Sequence, residues 1–313
     1  MIPHQLSSGD LIADRRAEYA LMLAASGDQD GAADLMRQAL ELAPGWAAGW
    51  FRLADYEEKS GRKEAAAAAL DKVLALSPDD LFGAGLKRAV LLGEAPPAQA
   101  PSAYVARLFD DYADRFDAAL VERLDYTVPQ ALAALVLPLV DARPIPLAVD
   151  LGCGTGLFGA EIRNAVSRLE GFDLSAGMLA KAAEKGLYDH LGQADLSLAA
   201  TASGLFEEGY PEERADLVAA ADVLMYLGDL EAPFALLPRL VKPGGLLAFS
   251  VEDAGADGDV VLRPSLRYAH SEAHLRRLCT RSEFDIVQIE RRTIRKDGGM
   301  PIAGILFVAR RRL

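Results

Sequence analysis

The sequence predicts an α/β domain, a parallel sheet with helices on both faces, preceded by an all-α domain of helical hairpins. Three observations carry that expectation. Residues of matching type recur at a 34-residue offset (Pro44/Pro78, Gly27/Gly61, Ala20/Ala54, Ala32/Ala66, Leu40/Leu74 and Leu42/Leu76), and a period of this length marks stacked helix pairs. From Leu147 onward, short apolar runs alternate with amphipathic segments, the pattern of βαβ units. A glycine-rich turn, Gly152-Cys153-Gly154-Thr155-Gly156, follows the first of those runs directly.

Composition agrees with two domains. The chain has 313 residues, and domains average ~100–200 residues. A 51% hydrophobic and 25% charged composition supports a packed core. No apolar run reaches the ~18 residues of a membrane span, and the first five residues lack the basic-then-apolar order of a signal peptide. A soluble, cytoplasmic protein without a membrane partner is therefore expected. Two cysteines, Cys153 and Cys279, are too few for a disulfide framework or a zinc site. The net charge of −13 argues against a nucleic-acid partner. That charge is uneven: residues 1–100 carry −5, residues 101–260 carry −15, and residues 261–313 carry +7.

Along the chain, the 34-residue pattern is that of tetratricopeptide units, with a small residue where two helices cross, glycine at the turn and proline past the second helix. Units are expected at about 13–46 and 47–80, with a third helix at about 81–92. Two units are fewer than the ~3 usually needed for independent stability, so docking on the rest of the chain is expected. The domains are set at 1–95, a proline-rich linker at 96–102, and 103–313. Residues 103–125 read as a helix with Leu108, Tyr112, Phe116 and Leu120 on one face. Asp110, Asp111, Asp114 and Asp117 read as its solvated side. A helix at about 129–140 follows. Strands are expected near 147–151, 168–172, 190–194, 215–220, 245–251, 284–291 and 302–310. Helices are expected near 157–165, 175–184, 230–240 and 271–281. The last two strands form an antiparallel hairpin through Lys296-Asp297-Gly298-Gly299.

The chemistry centres on Val149-Asp150-Leu151-Gly152-Cys153-Gly154-Thr155-Gly156, at the carboxyl edge of the sheet where such folds bind ligands. Gly154 to Gly159 is literally G-x-G-x-x-G, with Asp173 at 19 residues, near the dinucleotide spacing. Two acidic residues shift the balance away from a dinucleotide. Asp150 would repel a pyrophosphate and suits an ammonium, and Asp195 falls where a third strand ends. The closing antiparallel hairpin is a third such feature.

On these residues the chain resembles the class I S-adenosylmethionine-dependent methyltransferases. Asp150 to Gly156 resembles their first motif. Asp173, in Gly171-Phe172-Asp173-Leu174-Ser175, resembles the acidic strand end that holds the ribose hydroxyls, although a helix-cap role competes there. Asp195-Leu196 resembles the pair at adenine. Lys242-Pro243-Gly244-Gly245 resembles the turn before the fifth strand. The resemblance covers about 103–313. It implies a Rossmann-like, seven-stranded sheet with an antiparallel last strand, and S-adenosyl-L-methionine as cofactor. The implied cofactor residues are Tyr112, Asp150, Gly152, Cys153, Gly154, Gly156, Asp173, Leu174, Met178, Asp195, Leu196 and Ala221. The whole architecture resembles a bacterial group of predicted methyltransferases with tetratricopeptide repeats, and Leu108 to Asp117 is typical of that group.

Methyl transfer needs alignment and water exclusion from the protein. A carboxylate acceptor needs no base, whereas an amine or hydroxyl needs its proton removed. Tyr226, Tyr268 and His270 are the candidate groups past the strand ends. Two of them have a plainer reading, packing for Tyr226 and a surface position beside a helix start for His270. Cys153 reads as a small packing residue rather than a nucleophile. Arg263 and Arg267 lie close to the acceptor side and suit an anionic acceptor. Arg291, Arg292, Arg295 and Lys296 read as exposed edge charges. The expected activity is methyl transfer to an oxygen or nitrogen of a small molecule or protein, with the repeats either docking a peptide or shaping the acceptor site. A non-catalytic repeat scaffold on a degenerate methyltransferase fold and a nicotinamide-dependent oxidoreductase are the alternatives.

Overall fold

A computed structural model describes residues 7–116, 126–140, 144–206 and 209–313. Leu120 and Asp117 of the expected helix face lie outside the described residues. The chain divides into two units, residues 1–107 with 264–266, and residues 108–263 with 267–313.

The first unit is built from α1 (Leu11–Ala25), α2 (Gln29–Leu42), α3 (Ala47–Lys59), α4 (Lys63–Leu76) and α5 (Ala84–Leu92). Asp10 opens α1 by accepting from the backbone N–H groups of Ile12 and Ala13, and Asp28 opens α2 by accepting from Gly31. Ala20, Ala54, Ala32 and Ala66 are fully buried, as close helix approach requires. Inside this core Glu57 is held by Arg37 and Arg62. This is a run of helical hairpins.

Among the described residues the second unit holds a nine-stranded mixed sheet, two strands more than the seven expected. Its strands are β1 (Ile145–Leu151), β2 (Val166–Asp173), β3 (His190–Gln193), β4 (Ala215–Ala220), β5 (Val241–Asp253), β6 (Val260–Leu262), β7 (Tyr268–His270), β8 (Phe284–Asp297) and β9 (Met300–Arg311). The parallel order β3-β2-β1-β4-β5 places β1 centrally. β9 pairs antiparallel with β5 and β8, with Gly298 and Gly299 at positive φ in the hairpin turn. The two extra strands are β6 and β7. Glu252 pairs with Gly304 of β9 on one side and Ala269 of β7 on the other. β7 therefore lies beyond the end of β4, which stops opposite Phe249. Three-residue strands carry too few side chains to show a period.

The other α-helices among the described residues are α6 (Ser102–Tyr112), α7 (Val128–Val136), α8 (Leu157–Ile162), α9 (Ala176–Lys185), α10 (Glu231–Leu240) and α11 (Glu272–Arg281). In β4, Leu217 and Ala219 face a core with Leu132, Val136, Phe158 and Ile162, while Val218 and Ala220 face one with Phe234, Leu237, Leu275 and Leu278. Two-sided burial explains why β4 reads as a continuous apolar run. Leu108, expected on the apolar face of its helix, is exposed; Phe109 packs instead, edge-on to Phe116 and Tyr226. Among the described residues no helix is long and apolar enough to cross a membrane.

Candidate active site

The glycine loop connects β1 to α8. Gly152, Gly154 and Gly156 all have positive φ, at 62°, 53° and 91°. A Cβ on Gly152 would sit 2.3 Å from the Val223 side chain, so this position excludes every larger residue by sterics as well as by torsion. Cys153 N–H donates to Phe172 O and ties the loop to β2. The Cys153 thiol is buried, and burial beside Asp150 and Asp173 pushes its pKa well up, so the packing reading fits its chemistry.

Asp150 lies beneath the loop rather than in it. It is buried and accepts from the Tyr188 hydroxyl at 2.7 Å. Burial raises its pKa to about 7, while hydrogen bonds from Tyr188 and the Gly159 backbone pull in the other direction. Tyr188 has no counterpart among the expected site residues. Its ring fills space that side chains at Gly156, Gly159 and Gly171 would occupy, with a Cβ on Gly159 only 2.4 Å from the hydroxyl. The last glycine of the G-x-G-x-x-G match thus makes room for Tyr188.

Asp173 ends β2. One carboxylate oxygen accepts from Gly154 N–H at 2.8 Å and the other from Ser175 N–H at 2.8 Å. A carboxylate offers about four lone-pair directions, so accepting capacity for a diol remains. Burial raises its pKa. The helix cap itself is Ser175, whose hydroxyl accepts from Met178 N–H and donates to Asp110 at 2.5 Å. Asp110 also accepts from Gly177 N–H at 2.9 Å. Asp110 is exposed, as expected, and its carboxylate also fastens the end of α6 to the start of α9. Phe116 comes within 3.8 Å of where a Gly154 Cβ would be, whereas Tyr112 packs edge-on to Phe116.

The other expected cofactor residues are more scattered. Leu174 offers its carbonyl to Gln193. Met178 is fully buried. Asp195 closes its own turn, accepting from Ser197 N–H and hydroxyl at 2.9 and 2.6 Å. Leu196 packs into the core with Leu151, Leu224 and Phe249. Ala221 is half-buried just past β4.

Past the ends of β4 and β5 lies a second constellation. Arg295 donates to Asp222 at 2.5 Å and to Glu252, and all three are largely removed from solvent. Asp222 holds a left-handed backbone, φ 60°, fixed by its N–H donating to the Ser250 hydroxyl at 2.8 Å. Burial of the Tyr126 hydroxyl, with Asp222 adding to the effect, pushes its pKa well up. Arg267 donates to Asp297 at 2.8 Å and approaches the Tyr226 hydroxyl at 3.4 Å.

Two expectations are corrected here. Arg295 is buried rather than an exposed edge charge. The β8–β9 register shifts between Thr293 and Arg295, so that Ile294 and Arg295 are both buried although adjacent. His270 is fully buried rather than on the surface. Its Nε2 is 3.2 Å from Gly228 O, and burial lowers its pKa to about 4. It is neutral at pH 7 and bound to backbone. Tyr268, fully buried, has a pKa raised to about 12 by burial. Of Tyr226, Tyr268 and His270, Tyr226 alone stays half-exposed, beside Phe109 and Arg267.

Residues 149–249 match the family described as Methyltransferase domain. The malonyl-[acyl-carrier protein] O-methyltransferase of Enterobacter lignolyticus is 30% identical over 153 residues, 49% of this chain and 57% of that protein. The trans-aconitate 2-methyltransferase of Delftia acidovorans is 36% identical over 132 residues, 41% of this chain and 44% of that protein. The chain spans about half the length of the curated relatives it matches. A methyltransferase chain from Haloferax volcanii, solved with a methyltransferase activator, overlays with a TM-score of 0.50 at 16% identity, covering 66% of this chain and 98% of that one; that likeness shows a shared fold. The likeness is therefore to a methyltransferase domain. The region around the glycine loop, residues 149–249, is the part that carries it.

Proposed function

We propose that this chain transfers a methyl group from S-adenosylmethionine to a carboxylate oxygen of an acidic acceptor, releasing S-adenosylhomocysteine and a methyl ester. The carrying observation is Arg267 beside Tyr226, past the carboxyl ends of β4 and β5, on the face that the glycine loop also edges. Bound S-adenosylmethionine would supply an electrophilic methyl group on a sulfonium. The residues present suit it: a loop of positive-φ glycines that permits close backbone approach, Asp173 with accepting capacity for a diol, and an acidic edge for a cation.

Arg267 would orient the acceptor by charge-assisted hydrogen bonds. Phe109, Phe116 and Tyr226 form a connected aromatic cluster that would exclude water. A carboxylate is already a nucleophile, so no side chain has to remove a proton. That matches His270 and Tyr268, both sealed in the core. The names of the two relatives, both acting on acids, support this reading. Tetratricopeptide character of the first unit is also part of it, supported by Gly27 and Gly61 at equivalent turns with φ of 94° and 79°.

The test is incubation with methyl-labelled donor and a panel of dicarboxylic acids, acyl thioesters of malonate, amines and phenols. Label released as methanol by mild alkali marks a carboxyl ester. Label stable to alkali would overturn the carboxylate assignment. Calorimetry with S-adenosylhomocysteine checks the donor site independently, and no binding at millimolar ligand would remove the whole reading.

A further inference from the structure

Helix α1 carries an apolar face that no described residue of its own unit covers. Leu11, Ile12, Tyr19 and Met22 of α1 are 68%, 59%, 62% and 66% exposed. The opposite face, Ala13, Ala17 and Ala20, is buried in the hairpin core. At 3.6 residues per turn, Leu11, Arg15, Glu18 and Met22 fall in one line along the outer face, with Ile12 and Tyr19 flanking it on the same side. This face is apolar at both ends and charged only in the middle.

The order of residues in that line is self-complementary. Laid antiparallel against a second α1, with the midpoint between Arg16 and Ala17, Leu11 meets Met22 of the other helix and Arg15 meets Glu18. Ile12 then comes near Tyr19 on the flank. Both charges are exposed, and among the described residues neither makes an ion pair within the chain. A parallel arrangement would instead place Arg15 on Arg15 and Glu18 on Glu18. The charge order therefore selects one partner and one direction, which a generic apolar patch does not do. We propose that the outer face of α1 is an isologous dimerisation surface, occupied by α1 of a second copy in antiparallel orientation.

A single helix pair of 15 residues is about 22 Å long. Its contact falls below the ~800 Å² per partner of a standard stable interface. The expected association is therefore in the micromolar range rather than permanent.

Sedimentation velocity of the full chain, from about 1 to about 300 μM, should show a reversible monomer–dimer equilibrium. Arg15→Glu places like charges opposite each other twice per dimer and should weaken association roughly tenfold. Combining it with Glu18→Arg reverses the pair and should restore association, which separates the charge match from any damage to the helix.

Direction is read by cysteine cross-linking. Leu11→Cys with Met22→Cys should give a disulfide-linked dimer, while Leu11→Cys alone should not, because two copies of position 11 would lie about 16 Å apart along the helices. The native Cys153 and Cys279 are buried and do not compete. A monomer across the whole concentration range, a double charge reversal no better than the single one, or efficient cross-linking through position 11 alone would each overturn the proposal.

Discussion

The proposed donor side and the proposed acceptor side of the second unit are built from different materials. The donor side is mostly backbone: three glycines in one eight-residue segment, turned by positive φ and tied to β2 through loop N–H groups that donate to the Phe172 carbonyl and the Asp173 carboxylate. The acceptor side rests on a neighbouring set of buried side chains, Asp222 just past β4, Glu252 of β5 and Arg295 of β8. A backbone site depends on which residues are absent, chiefly on the lack of side chains at Gly152 and Gly159. A side-chain site depends on charges that must all be present at once. The two sides should therefore fail differently.

The largest effect is expected from breaking the acceptor cluster. Arg295→Met leaves two carboxylates buried without their counter-charge, and removing one member of a buried ion group typically costs about 3–5 kcal/mol. Urea unfolding should show that loss, and adding Glu252→Gln should recover part of it. A loss below about 1 kcal/mol would mean the cluster is solvated and contributes little. On the donor side, Gly152→Ala meets both the Val223 side chain and a torsion that L-residues avoid. Affinity for S-adenosylhomocysteine should fall about 100-fold, close to 2.8 kcal/mol, with the acceptor cluster intact. An unchanged affinity would show that the loop does not need its conformation.

The same contrast explains what the sequence could reveal. The glycine loop, Asp173 and the alternation of strands with helices are local patterns, and the observed β1 to β5 and the β8–β9 hairpin match them. Nothing local marks Tyr188, which lies 38 residues from the Asp150 it bonds. Arg295 reads as an edge charge because its neighbours Arg291 and Arg292 are of the same type, and only the register shift in β8 turns it inward. Asp222 follows an apolar run as a strand-end residue would, yet its partner is 73 residues away. β6 and β7 are too short to show a period, so the sheet gained two strands, and Tyr268 and His270 moved from a loop into the core.

A smaller effect sharpens the acceptor side. Arg267→Lys keeps the charge but loses the planar fork, so KM for a carboxylate acceptor should rise roughly tenfold with kcat nearly unchanged. A drop in kcat at constant KM would instead place Arg267 in the transition state, and no change in either would remove it from the acceptor site.

The smallest change probes the one titrating group that links the loop to a buried side chain. Tyr188→Phe keeps the ring that fills the space at Gly156, Gly159 and Gly171 and removes only the hydroxyl on Asp150. Asp150 has a folded pKa of about 7, against about 3.9 unfolded. The folded chain thus holds an extra proton between those values, and the contribution of Asp150 to stability falls as pH rises from about 4 to about 7. Donor-site binding should run the other way, because an ionised carboxylate under the loop favours the ammonium group that the ligand carries. S-adenosylhomocysteine affinity should therefore rise through pH about 7. The Tyr188 hydroxyl stabilises the ionised form, so its loss should move that midpoint upward by about one unit, the size expected for one hydrogen bond to a charge. Asp150→Asn should flatten the rise. If wild type and Tyr188→Phe share one midpoint, the Tyr188 hydroxyl does not tune the loop, and the donor side is backbone alone.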